Sequence, residues 1–445
     1  MADRLPPEIL SLIADCAHDE AEDNYHGKPL IEPGATDLRN AAASNLSVFE
    51  ARTSGAIGVS RRIMVRDIDY NIKIEYRVPN KLTTHKVSSI QTENDHAYRF
   101  SVAGLFEILK TWDNSCRLVL GLLTEYGSHP KQPAPTELDA SQSYFESLGT
   151  IIAIPDVYCV DTLYLESNEN IKDDRQLYAV SASAFLEVAH HCTGLRTLNV
   201  HLRTASFPVS EPKHHRQKQR CAIAIGLCSL PSSLRTFNFI EHTFISVGFP
   251  LVLSQNEYLF ATNLRSMSVQ LRHLELFRAR LPPDFLLPLD GSDKPIQNTL
   301  HWPNLESVKI HQAPTFTGAG ETQLVESEVL DESTSPDPEY LKLFNRAFIS
   351  TAHAVREMPR LATFAYTNID YCRRWGPPDD YPIFSFTNDR ATRTITVQWI
   401  SITGYKPGKR VANAWGFRLS DMTVKYDGPK VTSRIELSVW PPPKT

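Results

Sequence analysis

The chain has 445 residues, of which 42% are hydrophobic, and a formal net charge of -5 at pH 7. This length can bury a large core in two or three domains or in one long solenoid of repeats. The acidic balance argues against sequence-independent binding to nucleic acid, which needs an excess of Lys and Arg. No apolar run approaches the length of a membrane span, and the N-terminus lacks the pattern of a signal peptide. We therefore expect an intracellular protein, cytoplasmic or nuclear and not secreted, that does not bind membranes.

The first predicted element is an amphipathic helix at the N-terminus. Pro6 and Pro7 stand at its first positions, where the amides have no intrahelical acceptor, and Glu8 complements the positive end of the helix dipole. One face of this helix carries an apolar stripe, namely Ile9, Leu12, Ile13 and Cys16. The spacing fits either an ordinary helix that caps a core or a docking helix for a partner.

The run Leu5-Pro6-Pro7-Glu8-Ile9 resembles the start of the F-box, a helical module that docks on the Skp linker of Skp–cullin–F-box ubiquitin ligases. Residues 38–49 resemble its second and third helices, and residues 63–68 resemble the segment that follows them in fungal-type F-box proteins. A polar insert at 18–37 replaces the short loop that the family has there. The resemblance implies an F-box-like domain over residues 1–75 that binds a Skp-like linker through Leu5, Pro6, Glu8, Ile9, Leu12 and Ile13.

The body of the chain repeats a six-residue phrase with apolar residues at its first, fourth and sixth positions. The phrases start at residues 160, 195, 234, 271, 305 and 361, so the intervals between them are 35, 39, 37, 34 and 56 residues. Alternating apolar residues predict half-buried strands, and the near-constant interval predicts a repeat with one insertion. The triplet Leu-Arg-Thr opens two of the six phrases.

Helical stretches lie between the phrases, and their apolar residues recur at helical spacing. One stripe is Phe185, Val188, Ala189 and Cys192, and the next is Cys221, Ile225 and Cys228. Residues 105–122 make an atypical first unit, and the helix of the last unit carries Leu341, Phe344, Phe348, Ala352 and Val355. A strand plus a returning helix per unit is the leucine-rich-repeat arrangement.

We predict an α/β fold in which the helical F-box-like module precedes an irregular leucine-rich-repeat-like solenoid over residues 76–445. The chain also resembles fungal-type F-box proteins at residues 106–112, 271–276, 302–306 and 399–415. Two charged segments interrupt the solenoid. Residues 314–340 contain seven acidic residues and no Lys or Arg, which predicts a solvated loop or a docking site for a basic partner. Residues 213–220 are basic, but His and Gln dilute the charge and make a poor nuclear-import signal.

The search for catalytic and metal-binding motifs predicts neither an enzyme nor a cofactor. The chain has no Gly-x-Ser-x-Gly elbow, no phosphate-binding loop and no His-Glu-x-x-His helix, and the glycine turn at 317–320 lacks a strand-loop-helix setting. Asp67 and Asp69 share a strand face without a partner base. Seven scattered cysteines without a Cys-x-x-Cys pair indicate no disulfide framework and no zinc knuckle. His190 and His191 beside Cys192 point about 100° apart on a helix, so a shared metal ion is not expected.

Strand geometry predicts the binding surface. The fourth and sixth residues of each phrase face the core, so the fifth and seventh project from the opposite side and stack into two columns. We expect a protein substrate on this face, because apolar bulk lies there among polar residues. The candidate residues are Tyr164, His201, Ile240, Phe277 and His311. The alternative is that loops or the C-terminal segment cover these positions and make them core.

Together with the resemblance, these patterns predict a substrate-recognition adaptor that binds a Skp-like linker and cullin ligase at one end and an unknown protein substrate at the other. Such an adaptor contributes proximity, while other subunits carry out the chemistry. Two alternatives remain. One is an interaction scaffold that does not engage the ligase, which the 18–37 insert favours. The other is an enzyme whose site is assembled from positions far apart in sequence.

Overall fold

The structure is a computed structural model that describes most of the chain between residues 40 and 441. The described ranges are 40–42, 46–74, 98–126, 153–167, 182–204, 212–243, 255–277, 281–296, 300–311, 338–367, 382–401, 405–428, 430–438 and 440–441, with residue 279. The F-box-like start, the insert at 18–37 and residues 314–337 of the acidic loop lie outside these ranges.

Thirteen strands within the described ranges form one sheet whose spatial order follows the chain from β1 to β11 and then ends with β13 and β12. The strands are β1 (Asn40–Ala42), β2 (Asp67–Ile74), β3 (Leu118–Tyr126), β4 (Val160–Ser167), β5 (Thr197–Thr204), β6 (Thr236–Thr243), β7 (His273–Phe277), β8 (Ser307–His311), β9 (Thr363–Thr367), β10 (Pro382–Asp389), β11 (Thr394–Ser401), β12 (Thr423–Asp427) and β13 (Lys430–Leu437). Pairing is parallel from β1 to β9 and antiparallel from β9 onwards.

Helices lie between most neighbouring parallel strands, because parallel pairing requires a crossover connection. The described residues between β3 and β4 and between β7 and β8 form no helix. The described helices are α1 (Leu46–Thr53), α2 (Gly55–Arg62), α3 (98–109), α4 (Ala182–His191), α5 (Pro212–Leu227), α6 (Gln255–Ser268), α7 (Pro338–Arg356) and α8 (Lys409–Trp415). None of them is both long and apolar enough to cross a membrane. The architecture is a mixed α/β repeat with a single sheet.

The six predicted phrases form the strands β4 to β9. Their first, fourth and sixth residues are all at most 2% exposed, from Val160, Leu163 and Leu165 in β4 to Leu361, Phe364 and Tyr366 at β9. The alternation of side chains along a strand sends the fourth and sixth residues into one core. The first residue precedes the strand in five of the six phrases, so its burial is set by the turn before the strand and not by this alternation. The predicted strand positions and their core residues are confirmed.

The helical stripes are confirmed in two units and wrong in one. The stripe of α4, Phe185 to Cys192, is at most 1% exposed, and in α7 Phe348, Ala352 and Val355 are at most 2% exposed. In α5, however, Ile225 is 64% exposed, and Ile223 and Leu227 face the core instead. Residues 221–228 are apolar on two sides of the helix, so helical spacing fits both faces equally well.

The N-terminal helices are fixed to the first repeat unit. The rings of Phe49 and Trp112 stack with their centroids 6.0 Å apart. Arg62 donates hydrogen bonds from Nε to the Thr53 carbonyl and from Nη1 to the Thr111 carbonyl, both at 2.6 Å. Strands β1 and β2 belong to the same sheet as the repeats. The sheet therefore begins inside the region predicted as the F-box-like module.

Antiparallel strands and an aromatic cluster close the other end of the sheet. Phe384 packs against Trp399 with ring centroids 5.6 Å apart, and Trp415 packs against Trp440 at 5.4 Å. The indole nitrogen of Trp415 donates to the carbonyl of Phe348 in α7 at 3.1 Å. This C-terminal cap, residues 382–441, covers the core of the last repeat, as solenoids require at their ends.

Candidate functional site

Three rows of side chains cross the sheet on the side away from the core, and we call this surface the strand face. The third residues of the phrases form one row: Thr162, Thr197, Thr236, His273, Ser307 and Thr363. The fifth residues form the second: Tyr164, Asn199, Asn238, Glu275, Lys309 and Ala365. The seventh residues form the last: His201, Ile240, Phe277, His311 and Thr367, with the backbone of Glu166 in register before them. Backbone pairing places each row in register across β4 to β9.

The fifth and seventh rows are the columns predicted from the sequence, and their alignment is confirmed. The third row was missed, although the phrases contained a signal for it. Thr recurs at that position in four phrases and Ser in a fifth, and strand alternation places the third residue on the same face as the fifth.

Exposure varies along the predicted columns. Tyr164 is 44% exposed, and His201, Ile240 and Phe277 are half-buried. His311 and Thr367 are only 5% exposed and Asn199 only 6%, so the expectation that both columns lie open is wrong at these three residues. Of the three, His311 is the one among the predicted binding residues. At His311 the cause is local, because neighbours across the sheet cover its ring and hydrogen-bond both ring nitrogens.

His311 is the centre of a hydrogen-bonded chain across three strands. Its Nε2 lies 2.8 Å from Oε1 of Glu275, and its Nδ1 lies 2.9 Å from Oγ1 of Thr367. A carboxylate only accepts, so Nε2 donates to Glu275; in the neutral imidazole Nδ1 then accepts from the Thr367 hydroxyl. The Phe277 ring packs beside His311 with centroids 5.5 Å apart. This chain fixes the orientation of the His311 ring.

The charge of Glu275 is stabilised at this site. The hydrogen bond from His311 lowers the pKa of the Glu275 carboxyl below its ordinary value, and the positive charge of Lys309 acts in the same direction, against partial burial. In the neighbouring part of the fifth row, Nδ2 of Asn238 donates to Oδ1 of Asn199 at 2.7 Å. Polar groups on the strand face are thus held in defined orientations before any partner binds.

The fifth row continues beyond the predicted phrases towards the N-terminus. Asp69 pairs with Gly121, and Gly121 pairs with Tyr164. A Cβ at Gly121 would lie 2.5 Å from Oδ1 of Asp69, so the Asp69 side chain occupies the space that a larger residue would need. Glycine here makes room for the acidic side chain of Asp69, one strand away from the exposed Tyr164.

The other sequence candidates do not assemble into a site. His190 binds the Ser229 carbonyl at 2.6 Å and His191 binds Asp156 at 2.8 Å, while burial raises the pKa of Cys192 well above the usual thiol value. In the part of the chain that the structure describes, no three His, Cys, Asp or Glu side chains form a group that could hold a metal ion.

The end of the basic run 213–220 is buried. Arg220 is 1% exposed, forms an ion pair with Glu241 and lies 4.6 Å from the centroid of the Phe260 ring. It is therefore not accessible to an import receptor. The predicted linker-binding residues Leu5, Pro6, Glu8, Ile9, Leu12 and Ile13 lie outside the described ranges.

Comparison with known proteins gives matches among solved structures. No protein family and no curated protein matches the chain. Four chains of solved structures match. One is the leucine-rich repeat-containing protein LegL7 from Legionella pneumophila, which is 11% identical with a TM-score of 0.26, over 84% of this chain and 96% of that chain.

Proposed function

We propose that the strand face binds a protein partner and that the chain is the substrate-recognition adaptor of a Skp–cullin–F-box ubiquitin ligase. The observation that carries the first part is the register of the three rows, which sets side chains from six strands at fixed positions on one surface. Residues from distant parts of the sequence can therefore act together on one partner.

The chemistry of the rows supports a protein partner. Tyr164, Ile240 and Phe277 supply aromatic and apolar bulk, and amides and charged groups lie beside them in the same rows. Binding hot spots have this mixture of apolar anchors with a polar surround. The fixed orientations of Asn199, Asn238 and His311 reduce the entropy lost on binding.

The Glu275–His311–Thr367 chain supports binding over catalysis. In an acid–imidazole–hydroxyl triad the hydroxyl meets the substrate and the acid is buried. Here the accessibility is reversed, since the Glu275 side chain is 41% exposed and Thr367 is 5% exposed. The exposed carboxylate is suited to accept a hydrogen bond from a partner, and we propose no catalytic role and no metal or cofactor.

The adaptor part rests on the F-box resemblance at residues 5–13 and on the exposed apolar residues of α1 and α2. Five apolar residues of α1, α2 and the following turn are between 47% and 71% exposed: Val48, Ile57, Val59, Ile63 and Met64. Exposed apolar side chains concentrated in one segment of the chain are suited to contact a partner. The contacts of Phe49 and Arg62 with the first repeat would transmit the orientation of a docked linker to the strand face.

Reciprocal variants of the full chain test both parts in one cross-linking capture experiment in the native cell. Ile240→Ala with Phe277→Ala removes apolar anchors, so we expect loss of the cross-linked partner with retention of the Skp-like linker. Ile9→Asp with Ile13→Asp places charge in an apolar interface, so we expect loss of the linker and retention of the partner. Each variant is the control for the other.

Three results would contradict the proposal. Equal capture of the linker by the wild type and by the Asp variant would contradict the adaptor role and favour a stand-alone interaction scaffold. Capture of the partner by the Ala variant at the wild-type level would show that the partner binds outside the strand face. A loss of several kcal/mol of folding stability in the Ala variant would identify Ile240 and Phe277 as core residues.

A further inference from the structure

Strand β12 lies at an edge of the sheet, at the opposite end from the N-terminal helices. Within the described ranges it pairs with β13 on one side and with no strand on the other. Thr423, Lys425, Tyr426 and Asp427 are exposed, and Val424 is half-buried. An edge strand presents a row of backbone N–H and C=O groups with which another extended segment can pair. The C-terminal cap thus offers a backbone edge to a partner.

The side chains of β12 differ between its two sides. Val424 and Tyr426 pair with Ser433 and Val431 of β13, which are buried, so these two residues lie on the core side of the sheet. Lys425 alternates with them and therefore projects on the same side as the strand face. An added strand would meet an apolar and an aromatic side chain on one side and a lysine on the other.

The Tyr426 side chain is held in place although it is 66% exposed. Nζ of Lys406 donates a hydrogen bond to the Tyr426 hydroxyl and lies 4.9 Å from the centroid of its ring. This contact orients the ring and puts a positive charge beside the edge. Lys425 supplies another, since it lies opposite Thr432 and forms no ion pair with any residue that the structure describes.

Charge is distributed unevenly between the cap and the rest of the chain. Residues 382–441 contain nine Lys or Arg and four Asp or Glu, a formal charge of +5, so the other residues together carry -10. Two caps would therefore repel each other, and full antiparallel pairing of β12 with a second copy would place two Lys425 side chains opposite one another. The edge is better matched to an acidic strand than to a second copy of this chain.

The backbone edge favours a polypeptide over other polyanions. The groups on one edge of a strand recur at every second residue, about 6.8 Å apart, and another extended peptide has donors and acceptors with the same repeat. Side chains of the added strand would alternate between the two sides. Acidic residues would then face Lys425, and apolar residues would face Val424 and Tyr426.

We propose that β12 is a docking site at which an acidic, extended segment of a partner protein adds to the sheet as a further strand. Main-chain hydrogen bonds would supply affinity, and the alternation of acidic and apolar side chains would supply specificity. The site does not depend on the binding proposed for the strand face. It allows the chain to hold a second partner at the end of the sheet that lies away from α1 and α2.

The test uses the purified full chain and a short fluorescent peptide in which Glu alternates with Val. We expect binding in fluorescence anisotropy and slower amide hydrogen exchange at residues 423–427 when the peptide is present. Two further peptides carry N-methyl groups, one at every Glu and one at every Val. A strand pairs through alternate amides, so one of the two should bind at least about tenfold more weakly than the unmodified peptide. A peptide with Lys in place of Glu should not bind.

A charge reversal at the edge tests the position of the site. Lys425→Glu should weaken binding of the Glu/Val peptide by about tenfold or more, because it places like charges opposite one another. Lys409→Glu is the matched control, since this exposed lysine lies in α8 of the same cap and the change in net charge is equal. It should bind nearly as the wild type does. Ile240→Ala with Phe277→Ala changes only the strand face and should also leave binding unchanged.

Equal binding of all three Glu/Val peptides would overturn the proposal, as would an unchanged affinity in the Lys425→Glu variant. If that variant fails to fold, Lys425→Ala removes the charge with a smaller perturbation and should also weaken binding. Equal weakening by Lys409→Glu, or competition by single-stranded DNA as strong as by the peptide itself, would replace the site by a general polyanion surface. Loss of binding in the Ile240/Phe277 variant would place the peptide on the strand face and refute the β12 site, while the proposed function would stand.

Discussion

Glu275 on the strand face makes the folding stability of the protein depend on pH. Its pKa in the folded protein is lowered, first by the hydrogen bond from His311 and then by the charge of Lys309. A carboxyl whose folded pKa lies below its unfolded value contributes stability above the unfolded value, near 4.5, and loses it as the pH falls through the folded pKa.

Glu275→Gln should therefore be less stable than the wild type at pH 7, and the difference should shrink as the pH falls below about 4.5. Because the carboxylate is well exposed, solvent screens the interaction and we expect a loss of less than about 1 kcal/mol. Urea unfolding of both proteins between pH 7 and pH 3 measures it. A difference that stays constant over this range would show that the glutamate charge is not involved.

The residues of this hydrogen-bonded chain could not be found from the sequence. Glu275, His311 and Thr367 are separated by 36 and 56 residues, and only the register of β7, β8 and β9 brings them side by side. The columns themselves were predictable, because side chains alternate along a strand and the residues that follow the buried fourth and sixth positions must lie on the opposite face. The side-chain orientations decide which members of a column contact each other, and residue spacing does not predict these orientations.

At the scale of a single element, helix α5 is a case in which the spacing of apolar residues does not determine the buried face. Its apolar residues are concentrated at 221–228, where they lie on two sides of the helix. The sequence therefore supports two alternative core faces. The neighbouring helix decides between them, because Gly226 lies against Leu186 of α4, where a Cβ would be 2.6 Å from the leucine Cδ1. A contact between elements therefore sets the rotation of α5 about its axis.

Two isoleucines two positions apart in α5 provide a matched pair. Ile223 is 3% exposed, so Ile223→Ala should cost about 2–5 kcal/mol of unfolding free energy through lost burial and a cavity. Ile225 is 64% exposed, so Ile225→Ala should change stability by less than about 0.5 kcal/mol. Chemical denaturation of the two variants compares them directly. The opposite ranking would mean that the sequence stripe, Cys221, Ile225 and Cys228, is the true core face.

At the scale of the whole molecule, the C-terminal cap covers the aromatic core of the last repeat. Phe348 and Tyr366 of the last repeat pack against Phe384 of the cap, with ring centroids 5.1 and 5.9 Å apart. Its antiparallel strand order was not predicted, because alternation of apolar residues is the same whether neighbouring strands run in the same or in opposite directions. The positions of the repeat strands could be predicted from the sequence. The antiparallel strands that close the sheet could not.

A chain that stops at residue 367 should expose these aromatic rings and the backbone edge of β9. Both features promote association, so we expect the truncated protein to aggregate, while the full chain stays monodisperse at the same concentration. Light scattering after size-exclusion chromatography measures the difference. A monodisperse truncated protein with the melting behaviour of the full chain would show that the repeats need no cap.

The register of the rows also determines how such a molecule can grow. Each repeat unit between β4 and β8 has a parallel neighbour on both sides and contributes one residue to each row. Duplication of one internal unit would lengthen every row by one strand spacing, about 4.8 Å, and leave the cap and the N-terminal helices in contact with their present neighbours. The length of partner that the strand face can contact would thus change in steps of one repeat unit. Each added unit would contribute three side chains to the face, from the third, fifth and seventh positions of its phrase.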